Sequence, residues 1–125
     1  MSGLTFDAGA LIAFDRNDRR AALLIWAAQR NNTPIAIPAG VVGQAWRDGR
    51  RQARLAKLLA AQGIEIEPLD DLRARQAGQL CGVTGTSDIV DASVVVCAKR
   101  RGHKVVTCDG KDMRRLDPSL GLLEL

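Results

Sequence analysis

Four short apolar or β-branched runs recur along this chain, and each is stopped by an acid or a proline. Residues 3-GLTF-6 end at Asp7, 35-IAI-37 at Pro38, 64-IEIE-67 at Pro68, and the run from Lys104 to Thr107 meets Asp109 after a single residue. Runs of this length suit strands rather than helices. Between them lie segments with helical patterning. One covers Ala8 to about Phe14. A second, capped by Asp18, runs to about Asn31 with Leu23, Leu24, Trp26 and Ala27 on its apolar side. Others are expected over 39-AGVVGQAW-46, with Gly49 as a stop, then Arg51 to Ala61, Asp70 to Leu80 and Asp88 to Arg101, with a last turn over Asp112 to Leu116. The stretch 82-GVTGTS-87 reads as a Gly-rich loop, and 121-GLLEL-125 as a terminal strand. Strands alternating with helices define an α/β fold, with a central, mainly parallel sheet flanked by helices.

At 125 residues the chain suits one domain, taken as 1–125, with a core of its own. No apolar run approaches the roughly 18 residues of a membrane span, so no membrane association is expected. The opening MSGLTFDAGALIAF lacks a basic flank and is interrupted by Asp7, unlike a secretory signal, which makes the cytoplasm the expected location. Cys81, Cys97 and Cys108 are odd in number and form no CxxC pair, so they read as buried small hydrophobes rather than a disulfide or zinc framework. The net charge of +4 comes from basic clusters at Arg19-Arg20, Arg47 to Lys57, Lys99 to Lys104 and Lys111 to Arg115. Such clusters fit a polyanionic partner and solvated helix faces equally well.

Against this basic surplus, the positions of the acids stand out. Asp7 and Asp109 follow two strands, and open parallel sheets bind ligands beyond the carboxyl ends of their strands, where strand order reverses. If those strands are neighbours, the two carboxylates meet there. Asp88 and Asp91, three apart at the start of a helix, share one helix face and can join them. Crowded carboxylates repel one another unless a cation neutralises them, and an oxygen-only donor set favours Mg²⁺ or Mn²⁺. Asp7, Asp88 and Asp109 also each precede a helix or turn and read equally as N-caps, with Asp91 favoured by the helix dipole. Residue types and spacing leave both readings open.

The segments 6-FDAGALIAFDR-16, 38-PAGVVGQAWRDG-49 and 87-SDIVDASVVVCAKRRGHKVVTCDGKDMRRL-116, in this order, resemble the PIN-domain family, and within it the VapC-type ribonuclease toxins of toxin-antitoxin pairs. The resemblance implies a single PIN-like domain acting as a Mg²⁺- or Mn²⁺-dependent endoribonuclease. It assigns Asp7, Asp91 and Asp109 to the metal, with Asp88 matching an additional acid. It also implies a homodimer, an RNA substrate and inhibition by a cognate VapB-type antitoxin. The family usually carries Glu in a pattern like A-E-V-W-R-G-G, where this chain reads 43-GQAWRDG-49, so Gln44 takes the Glu position. An amide offers a carbonyl oxygen but no negative charge and no general base. The alternative is therefore a degenerate PIN domain that binds RNA or an antitoxin with little or no cleavage.

Three further residues are weighed as supports. Asp48, four beyond Gln44, either approaches the crevice from the same helix face or is an exposed acid. Asp112 either holds a metal-bound water or pairs with Arg115 or Lys111, and Thr107 can orient Asp109 through its hydroxyl. Arg47, Arg50 and Arg51 are the expected RNA-binding rim. His103 is expected in an exposed turn, and Trp26 and Trp46 as core or interface anchors.

Overall fold

The computed structural model describes residues 3–125. The elements, in chain order, are β1 (Leu4–Phe6), α1 (Ala8–Asp15), α2 (Arg19–Arg30), β2 (Ile35–Pro38), α3 (Ala39–Ala45), α4 (Ala53–Leu59), β3 (Ile64–Glu67), α5 (Asp71–Thr84), α6 (Ile89–Arg101), β4 (Lys104–Thr107), α7 (Gly110–Leu116) and β5 (Leu122–Glu124). The strands form one five-stranded sheet in the order β3-β2-β1-β4-β5, and every pairing is parallel. Leu4, Thr5 and Phe6 are all buried, as befits a central strand covered on both faces. Helix α6 packs against β1, β2 and β4 on one side and α5 on another. That double cover explains why it is apolar nearly all round, with Ala92, Val94, Val95, Cys97 and Ala98 buried.

Sequence order gives two chain directions away from β1: toward β2 and β3, and toward β4 and β5. Strand order therefore reverses between β1 and β4, and Phe6 pairs with Val106 across that boundary. The carboxyl ends of these two strands lead into Asp7 and Asp109, so the topology itself puts the two acids at the switch point.

Several elements differ from the sequence expectation for identifiable reasons. Helix α5 continues through Gly82 to Thr84 and ends at Gly85, whose φ of +71° closes the helix in the left-handed region, so the loop shrinks to residues 85–87. Helix α3 stops at Ala45 rather than near Gly49, and α4 starts at Ala53 rather than Arg51. The turn between them is organised by buried Gln52. Its Nε2 donates to Asp15 Oδ2 (3.0 Å) and to the Ala45 carbonyl (2.8 Å), while its Oε1 accepts the backbone N–H groups of Arg47 and Asp48 (2.7 and 2.9 Å).

Helix α2 turns a different face inward, burying Ala21, Ile25 and Ala28 and leaving Leu23 and Trp26 exposed; Trp26, 58% exposed, stacks with Arg30 instead of entering the core. Trp46 is also exposed. In β3 the expected burial is inverted at the end, where Ile66 is exposed and Glu67 buried. Glu67 is held inside by ion pairs with Arg73, Arg100 and Arg101. Cys81 and Cys97 are buried but Cys108 is exposed. His103 is half-buried, its Nδ1 lying 3.0 Å from the Thr5 hydroxyl beneath the sheet's amino end. Among the described residues no single helix is long and apolar enough to cross a membrane.

Candidate functional site

Three helices begin beside the carboxyl ends of β1 and β4, and each is capped by an acid. The Ala10 N–H donates to Asp7 Oδ1 (2.9 Å) at the start of α1, and the Asp91 N–H donates to Asp88 Oδ1 (2.9 Å) at the start of α6. The Lys111 N–H donates to Asp109 Oδ1 (3.2 Å) at the start of α7. The capping and clustering readings are thus not rivals here. The caps hold the carboxylates where the helix N-termini converge, and those N-termini partly offset their charge.

Thr107 links two of the acids. It is fully buried at the end of β4, its Oγ1 accepts the Asp109 N–H (2.9 Å), and its hydroxyl favours the charged form of Asp7. Asp7 is buried, which pushes its carboxyl up from the ordinary aspartate range; the bonds from Thr107 and Ala10 work against the shift, and the charges of Asp109 and Asp112 add to it. Asp91 is pushed up to about 7, chiefly by burial, then by the Asp88 charge, the Asp7 charge, a side-chain hydrogen bond with Asp88 and the Asp112 charge. These mutual effects define one electrostatic unit of Asp7, Asp88, Asp91, Asp109 and Asp112.

A cleft of about 480 Å³ opens beside this unit, lined by Gly85, Thr86, Ser87, Asp88, Asp91, Asp112, Arg115 and Leu116. Asp112 pairs with neither Arg115 nor Lys111 and instead faces the cleft. The acids are gathered without being closed together: among the described residues, no three carboxylate, imidazole or thiol groups converge closely enough to hold a metal ion. Each carboxylate is drawn toward its own helix N-terminus, and like charges separate unless something between them is positive. The donor set still suits Mg²⁺ or Mn²⁺ in kind, since it offers carboxylate oxygen alone.

Gln44 lies exposed on α3, one turn beyond Gly40, where a Cβ would come 3.2 Å from a methyl of Val90, the neighbour of Asp91. The same face of α3 that meets the start of α6 therefore carries Gln44. Asp48 lies beyond the end of α3, so it does not share that helix face. Its carboxylate accepts the Arg50 N–H (3.0 Å) and pairs with Arg50 and Arg51. Arg47 donates to the carbonyls of Gly43 and Trp46 at the C-terminus of α3. The three rim arginines are thus engaged within their own turn.

Reasoning from sequence did not single out Gln52, Glu67 or Asp117. Asp117 is buried at the end of α7, accepts from Ser119, and pairs with Lys99 at 3.0 Å. Only Glu67 carried a local signal: as an acid on a strand followed by arginine-rich helices, it needed a buried partner if its face was covered.

Fold and site together define an all-parallel α/β domain with a carboxylate crevice at its topological switch point. The chain belongs to the PIN-domain family, whose model matches residues 5–117. By sequence, no curated protein matches. Among solved structures, VapBC2 from Rickettsia felis, bound to a DNA fragment from its promoter, superposes with a TM-score of 0.71 at 17% identity over 98% of both chains. VapC20 from Mycobacterium tuberculosis, a sarcin-ricin loop cleaving toxin, gives 0.70 at 18% identity, again over 98% of both chains. FitAcB from Neisseria gonorrhoeae gives 0.64 at 15% identity, covering 97% of this chain and 96% of that one. At these identities the likeness is one of fold.

Proposed function

We propose that this chain is a PIN-domain protein of the toxin class that engages RNA, and a protein inhibitor of the VapB type, at its acidic crevice, with little hydrolytic activity of its own. The observation that carries this reading is the incomplete acid set. Five carboxylates interact, yet among the described residues no three converge closely enough to hold a metal ion, and the face of α3 that meets the start of α6 carries the neutral Gln44. Support for RNA comes from the basic surplus of the chain and from its likeness in fold to VapC20, a sarcin-ricin loop cleaving toxin. Support for a protein partner comes from the VapBC2 and FitAcB assemblies. A homodimer is part of the proposal on the same family grounds.

One observation favours a second reading, that of a metal-dependent endoribonuclease. A carboxyl pushed up to about 7, first by burial and then by the charges of neighbouring acids, sits where a cation would favour its ionised form. Under that reading Asp7, Asp91 and Asp109 would hold Mg²⁺ or Mn²⁺, with Asp88 assisting. The ion would supply Lewis-acid activation of water and stabilise the leaving oxygen. Thr107 keeps Asp7 and Asp109 in place, while Gln44 presents a carbonyl oxygen where a carboxylate would add charge.

RNA cleavage measured while Mn²⁺ is titrated, with the native chain beside Gln44→Glu, separates the two. The proposal expects little cleavage by the native chain and a gain in the variant. Full cleavage by the native chain at low Mn²⁺, unchanged in Gln44→Glu, would establish the nuclease reading instead.

A further inference from the structure

The crevice poses an electrostatic problem for the ligand assigned to it. RNA is a polyanion, and Asp88, Asp91 and Asp112 line the cleft it must enter, with Asp7 and Asp109 beside them. A phosphate can rest there only against a positive group. None of the arginines expected to supply it lines the cleft: Arg47 bonds its own helix end, and Arg50 and Arg51 lie beside Asp48 in exposed pairs of 3.8 and 3.9 Å. Arg114, one residue from the cleft wall, is paired with Glu124 at 2.9 Å.

Among the described residues, the cleft wall has one cationic side chain, that of Arg115. Arg115 is exposed at the last turn of α7 and has no ion pair or hydrogen bond, although Asp112 lies three residues earlier and lines the same cleft. The loop after α5 contributes two hydroxyl-bearing residues, Thr86 and Ser87, to the same cleft, and Ser87 is exposed. A guanidinium fork matches two phosphate oxygens, and hydroxyls lining the same cleft can add to the contact. A cleft of about 480 Å³ also falls within the range of small-ligand sites, roughly 300–1,000 Å³.

We infer that Arg115, which shares its cleft with Thr86 and Ser87, is the phosphate-positioning residue of the crevice: it holds a backbone phosphate of single-stranded RNA beside the carboxylate cluster. This rests on the RNA-binding reading above. Arg115 fixes where one phosphate comes to rest.

The test is fluorescence anisotropy with a labelled single-stranded RNA oligonucleotide, in chelator to suppress hydrolysis, over about 50–300 mM KCl. Each phosphate contact on a single strand contributes about 0.7 to the slope of log affinity against log salt. Arg115→Ala should make the slope shallower by about 0.7 and weaken binding several-fold. Arg115→Lys should keep the slope, since the charge remains, while losing part of the affinity with the two-pronged contact. Lys57→Ala, an exposed change on α4, should leave the slope as it was. If the native chain binds with a clear salt slope and Arg115→Ala matches it, the assignment of Arg115 falls while the RNA-binding reading stands. Equal losses in Arg115→Ala and Lys57→Ala would mean diffuse attraction and would also overturn it. No salt-dependent RNA binding by the native chain would overturn both.

Discussion

The hydroxyl of Thr107 serves two acids at once from a fully buried position, accepting the Asp109 N–H and favouring the charged form of Asp7. Thr107→Val keeps the shape and removes both contacts. It strands a backbone N–H and leaves Asp7 more poorly solvated, so it should lower unfolding free energy by about 1–3 kcal/mol in urea denaturation. It should also raise the Asp7 pKa further, because a bond that favours the charged form is lost. Asp91 and Asp88 differ in the same terms. Asp91 is half-buried and feels three other acids, whereas Asp88 is exposed and bound to its capping role. Asp91→Asn should therefore reduce Mn²⁺ affinity, measured by calorimetry, more than Asp88→Asn does. An equal loss from both would mean that the two contribute alike.

At the scale of elements, much of the site was legible because strands were short and bounded by unmistakable breakers. Asp7 and Asp109 could be placed at strand ends from GLTF-D and KVVT-C-D alone. Their adjacency could not, since it depends on β4 pairing with β1, and sequence periodicity says nothing of strand order. Boundaries set by side chains from distant positions were also hidden. The end of α3 and start of α4 are fixed by Gln52 reaching Asp15 and the Ala45 carbonyl, a contact across 37 positions in its longer arm. Gln52→Ala removes four hydrogen bonds from a buried position and should cost about 2–3 kcal/mol in chemical denaturation. The inverted burial of β3 has the same origin: Ile-Glu alternation suggests apolar residues inside, but three arginines from α5 and α6 make Glu67 the residue worth burying. Helix α2 exposes Leu23 and Trp26 because Ala21, Ile25 and Ala28 let it approach the core more closely on the other side.

For the whole molecule, an acid cluster at the sheet's carboxyl edge ties stability to pH. The Asp91 carboxyl sits at about 7 in the folded chain against 3.8 for an ordinary aspartate, so between those values the folded state binds more protons than the unfolded one. The contribution is fully present below about 3.8 and is lost as pH rises through about 7, and the raised Asp7 acts in the same direction. Thermal unfolding should therefore show this part of the stability declining from pH 4 to 7. Mn²⁺ should raise Tm more at pH 7.5 than at pH 5, since only ionised carboxylates attract it.

Five aspartates from three helix starts act as one coupled site, so carbon NMR titration of the aspartate carboxyls should show an Asp91 midpoint near 7 that falls in Asp88→Asn, where a neighbouring charge is removed. An Asp91 midpoint near 3.8, unmoved by that substitution, would show the carboxylates to be independent caps and would contradict that coupling.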